Sequence, residues 1–349
     1  MCPFCYTKQT LKKGRPCPNA ACYSNRRGIP LPPEVFSHEL FPIIIVGASS
    51  SGKSHFLATL KHRLVNEGFW GDGKSDGYWK WAFIEYCNPL NDDDASVDNP
   101  YIVYETNLYE RRQTLESTKR DDEHPPLLLS LEYLHPVRRF FDEPRFSKKG
   151  LLVAITDTAG EHAQGGSIGA FEKNYPVLKK MAKGALVMLD PKEIRGEATE
   201  TANGVLAWFK RGRSKSKIPI ALCLSKIDEL AKADETVPKD WLDERFNTDL
   251  TMPGRLVLPD IENNTRAILK WMRTTSLRAT ADDLENSYRY HACFATSALG
   301  IDPFASDSAG KTGGGLQLKG VPRPLRILDP FLWILWQHGK LGGVSVKSL

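Results

Sequence analysis

The chain has 349 residues, of which 41% are hydrophobic and 26% charged, a balance typical of a globular protein with a substantial core. Its formal charge of +5 comes mostly from residues 1–40, which leaves nucleic acid open as a partner without favouring it. No apolar run reaches the roughly 18–20 residues of a membrane-spanning helix, and the polar, cysteine-rich N-terminus is unlike a signal peptide. We therefore expect a cytoplasmic protein without a transmembrane segment.

Four of the seven cysteines lie close to the N-terminus with the spacing C-x2-C-x11-C-x4-C: Cys2, Cys5, Cys17 and Cys22. Each pair sits in a tight turn and would present two thiolates to one tetrahedral ion. Two disulfides are the alternative, which a chain expected in the cytosol disfavours. We therefore predict a structural zinc ribbon over residues 1–27 and a Pro-rich linker over residues 28–40. Cys223 and Cys293 lie inside apolar runs and are predicted to be core residues.

The stretch Phe41–Phe56 reads FPIIIVGASSSGKSHF, an apolar run followed by the spacing G-x-x-x-x-G-K-[ST]. A buried strand, a glycine-bounded loop and a helix in this order are typical of a phosphate-binding loop, and make a chance match in a Gly/Ser turn the weaker interpretation. Lys53 is predicted to reach the β- and γ-phosphates, and the Ser54 hydroxyl to bind Mg²⁺. The nucleotide contacts predicted for this loop are Gly47, Ser50, Ser51, Gly52, Lys53, Ser54 and His55.

Residues 41–349 are predicted to form one nucleotide domain with an insertion at about residues 67–125. Two strands after the insertion, Leu127–Leu134 and Gly150–Thr156, are expected to pair as a hairpin. Helices and strands then alternate: helices over Ala170–Ala182, Glu197–Lys210 and Leu328–Gln337, and strands over Ala185–Leu189, Ile218–Leu224 and His291–Ala295. This alternation predicts an α/β fold with a mostly parallel sheet, helices on both faces, and ligands at the carboxyl ends of the strands.

Polar motifs follow the predicted strands. Asp157 ends an apolar strand and is predicted to hold Mg²⁺ through a water, while the Gly160 N–H can meet a γ-phosphate. Asp228 follows the predicted strand Ile218–Leu224. Its carboxylate would accept from both N1–H and the 2-amino group of guanine, a pair of donors that adenine lacks. The Lys226 stem would lie along the base, and Ser225 completes this motif.

A last predicted contact comes from the loop of Ser297, Ala298 and Leu299, whose backbone N–H groups would meet guanine O6. The four motifs GASSSGKS, DTAGE, SKID and TSAL resemble, in order, those of the translation-factor and Ras-like (TRAFAC) class of P-loop GTPases over about residues 41–300. A closer resemblance is to the bacterial double-GTPase family of conflict systems. In that family an N-terminal zinc ribbon can precede a GTPase domain with a DTAGE loop and an apolar C-terminal helix.

The resemblance implies a Ras-like P-loop GTPase fold that binds GTP or GDP, Mg²⁺ and Zn²⁺. It also implies Mg²⁺-dependent GTP hydrolysis, slow without a partner, within a bacterial defence system that supplies a GTPase-activating component. The residues expected to act in hydrolysis are Lys53, Glu161 and His162. Glu161 stands where Ras-like proteins have a water-orienting glutamine. Because a γ-phosphate repels a carboxylate, His162 is its rival for that role.

Two residues depart from the usual pattern of this class, and the assignment of one Mg²⁺ ligand stays open. Ser225 replaces the asparagine of the base-reading motif, and Ser49 fills a loop position that is glycine in Ras. The threonine expected to close on Mg²⁺ is Thr118, with Thr114 and Thr106 as alternatives.

Two other functional classes compete with a GTP-hydrolysing switch. One is a nucleotide-bound interaction module with little or no hydrolysis, which Glu161 and Ser49 favour. The other is a P-loop kinase, which leaves the Ser225–Asp228 motif without a role and ranks last.

Overall fold

The computed structural model describes residues 1–48, 51–66, 69–71, 78–86, 99–115, 125–135, 145–146, 150–158, 176–190, 200–210, 215–242, 258–301, 303–304 and 316–341. The strands are β1 Glu39–Gly47, β2 Phe69–Gly71, β3 Tyr78–Phe83, β4 Leu127–His135, β5 Arg145–Phe146, β6 Leu151–Asp157, β7 Gly184–Leu189, β8 Ile220–Leu224, β9 His291–Ala295, β10 Pro303–Phe304 and β11 Gln317–Leu318. The α-helices are α1 Tyr23–Arg26, α2 Glu34–Ser37, α3 Lys53–Asn66, α4 Pro100–Glu105, α5 Pro176–Met181, α6 Glu200–Phe209, α7 Ile227–Ala233, α8 Leu258–Met272, α9 Arg278–Ser287 and α10 Leu328–Gln337.

Within the described residues, the main sheet has nine strands in the order β2-β3-β4-β6-β1-β7-β8-β9, with β5 paired to β4. The five strands from β6 to β9 run parallel, and β4 is antiparallel to β6. The parallel strands are buried over almost their whole length, as expected for strands covered on both faces. The predicted fold class, an α/β arrangement with a mostly parallel sheet and helices on both faces, is confirmed.

Side chains of β1 alternate between two hydrophobic clusters, one on each face of the sheet. Ile44 and Val46 belong to the cluster that contains residues of the N-terminal segment and of α5, α6 and α9, which we call the ribbon face. Ile43 and Ile45 belong to the cluster that contains residues of α3 and α10, which we call the loop-helix face. Helices therefore cover both faces, and the helix after the phosphate loop lies on the loop-helix face.

Part of the predicted insertion extends the sheet. Strand β3 pairs antiparallel with β4 from Tyr78 opposite Leu134 to Phe83 opposite Leu129. Trp81 is buried and packs against Phe331 of α10, with ring centroids 5.4 Å apart. Helix α4 begins at Pro100 in this insertion and passes into a π-helical turn over Thr106–Glu110.

Residues predicted as a linker pack against the rest of the chain. Ile29 and Leu31 are buried, and the Leu31 N–H donates to the Arg15 carbonyl at 3.0 Å. At the other end of the chain, α10 occupies the predicted range, and its residues from Leu328 to Leu335 are buried. Among the described residues, no helix is both long and apolar enough to cross a bilayer.

Candidate functional site

Five parallel strands bring their carboxyl ends to one edge of the sheet. Gly47 on β1 pairs with Met188 on β7, and Asp157 on β6 pairs with Ile45 on β1. On the other side, β7, β8 and β9 end in register at Leu189, Leu224 and Ala295. Every predicted motif that the structure describes therefore lies along this edge.

The phosphate loop leaves no room for a side chain at its first glycine. A Cβ on Gly47 would lie 2.5 Å from the Met188 carbonyl oxygen and 2.7 Å from Ser51 Oγ. Gly52 has a φ of +88°, a conformation that L side chains rarely adopt. Both motif glycines are thus required by local geometry. Ser49 and Ser50 lie outside the described residues.

Lys53 begins α3 and folds back over the loop. Its Nζ donates to the carbonyl oxygens of Gly47 and Ala48, both at 3.0 Å, and the side chain is buried. An ammonium group is thereby fixed at the loop beside the positive end of the 14-residue helix α3. This combination is an anion site suited to phosphate oxygens.

The side of the site predicted to hold Mg²⁺ contains Ser54 and Asp157, both half-buried. Asp157 is the last residue of β6, and Thr158 fixes the chain that follows it. The Thr158 hydroxyl donates to the Ile45 carbonyl at 3.0 Å, and the Thr158 N–H reaches the same oxygen at 3.3 Å. The carboxylate thus leaves the strand from a backbone that β1 holds in place.

Several residues predicted for this side lie outside the described part of the chain: Thr118, Gly160, Glu161 and His162. The two alternative threonines are described. The Thr114 N–H donates to the Leu316 carbonyl at 2.8 Å, and Thr106 opens the π-helical turn.

The motif predicted to read the base lies next to the predicted phosphate loop. Lys226 adopts a left-handed conformation with a φ of +49°, and a Cβ on Gly52 would lie 3.9 Å from Lys226 Cε. The Lys226 ammonium forms an ion pair with buried Asp190, at 3.3 Å from Oδ2. Asp228, two residues further, lies in the first turn of α7 and is half-buried.

Asp190 is a site residue that the sequence motifs did not identify. It follows β7 directly and stands at the same edge as the other motifs. The signal that could have found it is the one that pointed to Asp157, an acidic residue placed immediately after an apolar parallel strand. Asp190 orients the Lys226 stem across the loop.

Ser225 makes a different contact from the one expected of an asparagine. Its hydroxyl donates to the Leu189 carbonyl at 2.6 Å, and its N–H donates to the same oxygen at 3.0 Å. The side chain therefore ties β8 to β7 and is buried there.

The loop of Ser297, Ala298 and Leu299 is anchored on several sides. The Ser297 N–H donates to the Leu325 carbonyl at 3.1 Å. This N–H was predicted to contact guanine O6, but it is already hydrogen-bonded within the protein. The Ala298 carbonyl accepts from the Thr59 hydroxyl of α3 at 3.3 Å, and the Leu299 carbonyl accepts from the Arg323 N–H at 2.6 Å. The loop is thus held against the phosphate-loop helix.

His55 connects α3 to the chain after the π-helical turn. Its Nε2 accepts the Leu115 N–H at 3.0 Å, which places the proton of the neutral ring on Nδ1. Burial, with a smaller effect of the Lys226 ammonium, lowers the pKa of His55 to about 4. The ring is therefore a neutral hydrogen-bonding group at physiological pH.

The four N-terminal cysteines form one cluster. Their Sγ atoms all lie within 4.8 Å of one another, with 3.7 Å between Cys2 and Cys22 and 3.8 Å between Cys5 and Cys17. These separations are far too long for disulfides, and they match the edge of about 3.8 Å of a tetrahedron built from Zn–S bonds of about 2.3 Å. Cys223 and Cys293 are buried in the core, as predicted. The four thiols therefore fit Zn²⁺ as a closed, structural site.

No protein-family model matches the sequence, and no curated protein matches it. Among solved structures, the signal recognition particle receptor SRb-GTP/SRX complex from Chaetomium thermophilum matches at 14% identity and a TM-score of 0.28, covering 76% of this chain and 94% of that chain. The S. cerevisiae Ski7 GTPase-like domain, bound to GDP and inorganic phosphate, matches at 13% identity and a TM-score of 0.30. That match covers 76% of this chain and 44% of the Ski7 chain, less than half its length.

The cysteine cluster predicts stoichiometric zinc. Purified protein is expected to carry one zinc ion per chain by elemental analysis, and Cys17→Ser to lose most of it because three thiolates no longer close the tetrahedron. Cys223→Ser, a change to an equally buried cysteine in the core, is the control and keeps the metal. Zinc retained in full by Cys17→Ser would contradict the assignment.

The depressed pKa of His55 predicts a loss of stability in acid. An unfolded imidazole takes up a proton near its ordinary pKa of 6.5, whereas the folded ring stays neutral to about 4. The free energy of unfolding should therefore fall as the pH is lowered from 6.5 to 4, by about 3 kcal/mol from this residue. Denaturant titrations of wild type and His55→Gln over this range test it. The free energy of unfolding of the variant is expected to fall less over this pH range. Equal declines in the two proteins would refute the assignment of the effect to His55.

Proposed function

We propose that the protein is a GTP-binding switch that holds Mg²⁺ with its nucleotide and hydrolyses GTP slowly by itself. The observation that carries this proposal is the approach of Lys226 to Gly52, because it puts the base-reading motif beside the phosphate loop. One mononucleotide can then contact both motifs along the single edge where the parallel strands end.

At the phosphate end, Lys53 and the backbone N–H groups of the loop bind the β- and γ-phosphates. The two hydrogen bonds from Lys53 to loop carbonyls fix its ammonium before the nucleotide arrives, so little ordering remains to be done on binding. The N-terminus of α3 adds a partial positive charge. Gly47, Ser50, Ser51 and Gly52 contribute backbone, and His55 contacts the nucleotide from the first turn of α3.

At the base end, Asp228 accepts two hydrogen bonds from guanine, and the Lys226 stem covers the ring. The Asp190–Lys226 ion pair keeps that stem extended over the loop. Because the Ser297 N–H is bonded to Leu325, the contact to guanine O6 falls to Ala298 and Leu299. Ser225 supports this motif from behind through its contact with Leu189.

For hydrolysis, Ser54, Asp157 and a threonine would hold Mg²⁺, with Thr118 favoured over Thr114 and Thr106. Bound Mg²⁺ would neutralise charge that develops on the phosphates. Gly160 senses the γ-phosphate, and Glu161 or His162 positions the attacking water. We further propose that a GTPase-activating partner speeds this step, that the protein works in the cytoplasm within a bacterial defence system, and that the zinc ribbon is structural.

The base assignment predicts a change of nucleotide preference. Asp228→Asn exchanges an acceptor for a donor, so affinity for GDP should fall at least tenfold while affinity for xanthosine diphosphate rises. Competition against a fluorescent guanine nucleotide measures both. Glu229→Gln removes a neighbouring exposed charge from the same helix turn and should leave the preference unchanged. Tighter binding of ATP than of GTP by wild type would overturn the guanine assignment.

Turnover separates the switch from an interaction module that only binds nucleotide. Phosphate release should be measurable over hours, require Mg²⁺, and be lost in Lys53→Ala, which removes the ammonium from the phosphate loop. Lys270→Ala, at an exposed site on α8, is the control. Tight GTP binding without any Mg²⁺-dependent phosphate release, alone or with the products of neighbouring genes, would favour the interaction module.

A further inference from the structure

Tyr6 stands at a backbone position where a tyrosine is unusual. It follows Cys5 directly, its N–H donates to the Cys2 carbonyl at 2.9 Å, and its φ is +56°. This conformation closes the turn that presents Cys2 and Cys5 to the metal site. Glycine would adopt it without steric cost, whereas a side chain is disfavoured there. The contacts of the tyrosine side chain must therefore offset the cost of this backbone conformation.

The Tyr6 side chain reaches across the ribbon face to the end of β6. It is only 5% exposed, and its hydroxyl is hydrogen-bonded to Thr156 Oγ1 at 2.6 Å. Thr156 pairs with Ile44 on the ribbon face, and the next residue, Asp157, pairs with Ile45 on the loop-helix face. Tyr6 thus holds the residue immediately before the carboxylate proposed for Mg²⁺, from the opposite face of the sheet.

A second contact connects the same turn to the neighbouring strand. Phe4 lies edge-on to Tyr86, with ring centroids 5.3 Å apart, and the Tyr86 hydroxyl donates to the Pro126 carbonyl at 3.1 Å. Pro126 directly precedes β4. Side-chain contacts therefore link the Cys2–Cys5 turn to the end of β6 and, through Tyr86, to the start of β4. These two strands are adjacent in the sheet.

We infer that Tyr6 is a positioning residue for the Mg²⁺ side of the nucleotide site, and that the cysteine cluster holds Tyr6 in place for this purpose. The inference rests on the proposed function, because it assigns Asp157 to Mg²⁺. The chain of contacts is short: the metal-binding turn fixes the Tyr6 backbone, the Tyr6 hydroxyl fixes Thr156, and Thr156 sets the backbone from which Asp157 projects. The N-terminal ribbon is then part of the nucleotide site.

Two substitutions separate the hydroxyl from the ring. Tyr6→Phe keeps the ring and loses the hydrogen bond, whereas Tyr6→Gly removes the side chain but suits the left-handed turn, so it should still bind zinc. Tyr288→Phe is the matched control, because it removes another buried tyrosine hydroxyl, bonded to the Leu206 carbonyl away from this edge.

The first readout is the Mg²⁺ dependence of nucleotide binding. In a titration of fluorescent GDP against free Mg²⁺, Tyr6→Phe is expected to raise the half-saturating Mg²⁺ concentration about fivefold, the effect of losing one hydrogen bond. Tyr6→Gly should raise it further. Affinity measured in EDTA should match wild type, because only the Mg²⁺-dependent part of binding passes through Asp157. An equal shift in Tyr6→Phe and Tyr288→Phe, or no shift in either, would overturn the inference.

The second readout needs no nucleotide. Amide hydrogen exchange of the full chain should show faster exchange at residues 155–158 in Tyr6→Gly and in wild type treated with a zinc chelator, with no change in β9. Unchanged protection at residues 155–158 in both would overturn the inference by itself. Failure of wild type to bind any guanine nucleotide would instead overturn the proposed function, and the exchange experiment would still decide whether Tyr6 holds the end of β6.

Discussion

Parallel pairing of β6, β1, β7, β8 and β9 is the constraint on which the site depends. In a parallel sheet every strand ends on the same side, so polar residues far apart in the sequence meet along one edge. Asp157, Lys53 and Lys226 come together in this way although their segments are separated by buried strands. The near contact between Gly52 and Lys226 shows how little space lies between the two ends of the site. A side chain at Gly47 would clash with Met188 and Ser51 at the start of the loop.

The basic side chains along this edge differ in the groups that surround them. Lys53 donates to two backbone carbonyls at the start of the loop, which fix the position of its ammonium group. Lys226 is paired with the buried carboxylate of Asp190, so it serves as an oriented stem more than as a net charge. His55, in the first turn of α3, has its pKa lowered to about 4 and adds no further cation at physiological pH. Under the proposed function, the loop would attract anionic groups, and at the base end the Lys226 charge is balanced by Asp190, which leaves the Asp228 carboxylate to accept from a base.

Sequence patterns predicted the parts of the fold that depend on local burial. The range of β9 and that of α10 agree with the structure because each contains an apolar run, Ala292–Ala295 in β9 and Phe331–Trp336 in α10. Strand β3 was not predicted, because its aromatic residues are in a strand only by virtue of pairing with β4. Asp190 belongs to no motif, and its role depends on the tertiary position of Lys226. Likewise, the packing of Tyr6 on Thr156 joins residues 150 positions apart, which no spacing rule could reveal.

The contact made by Ser225 has a consequence for how long a nucleotide stays bound. Its hydroxyl donates to the Leu189 carbonyl and ties β8 to β7, whereas a longer amide side chain could brace the predicted phosphate loop. Under the proposed function, a phosphate loop without that brace would open at lower cost, and a bound nucleotide would leave sooner.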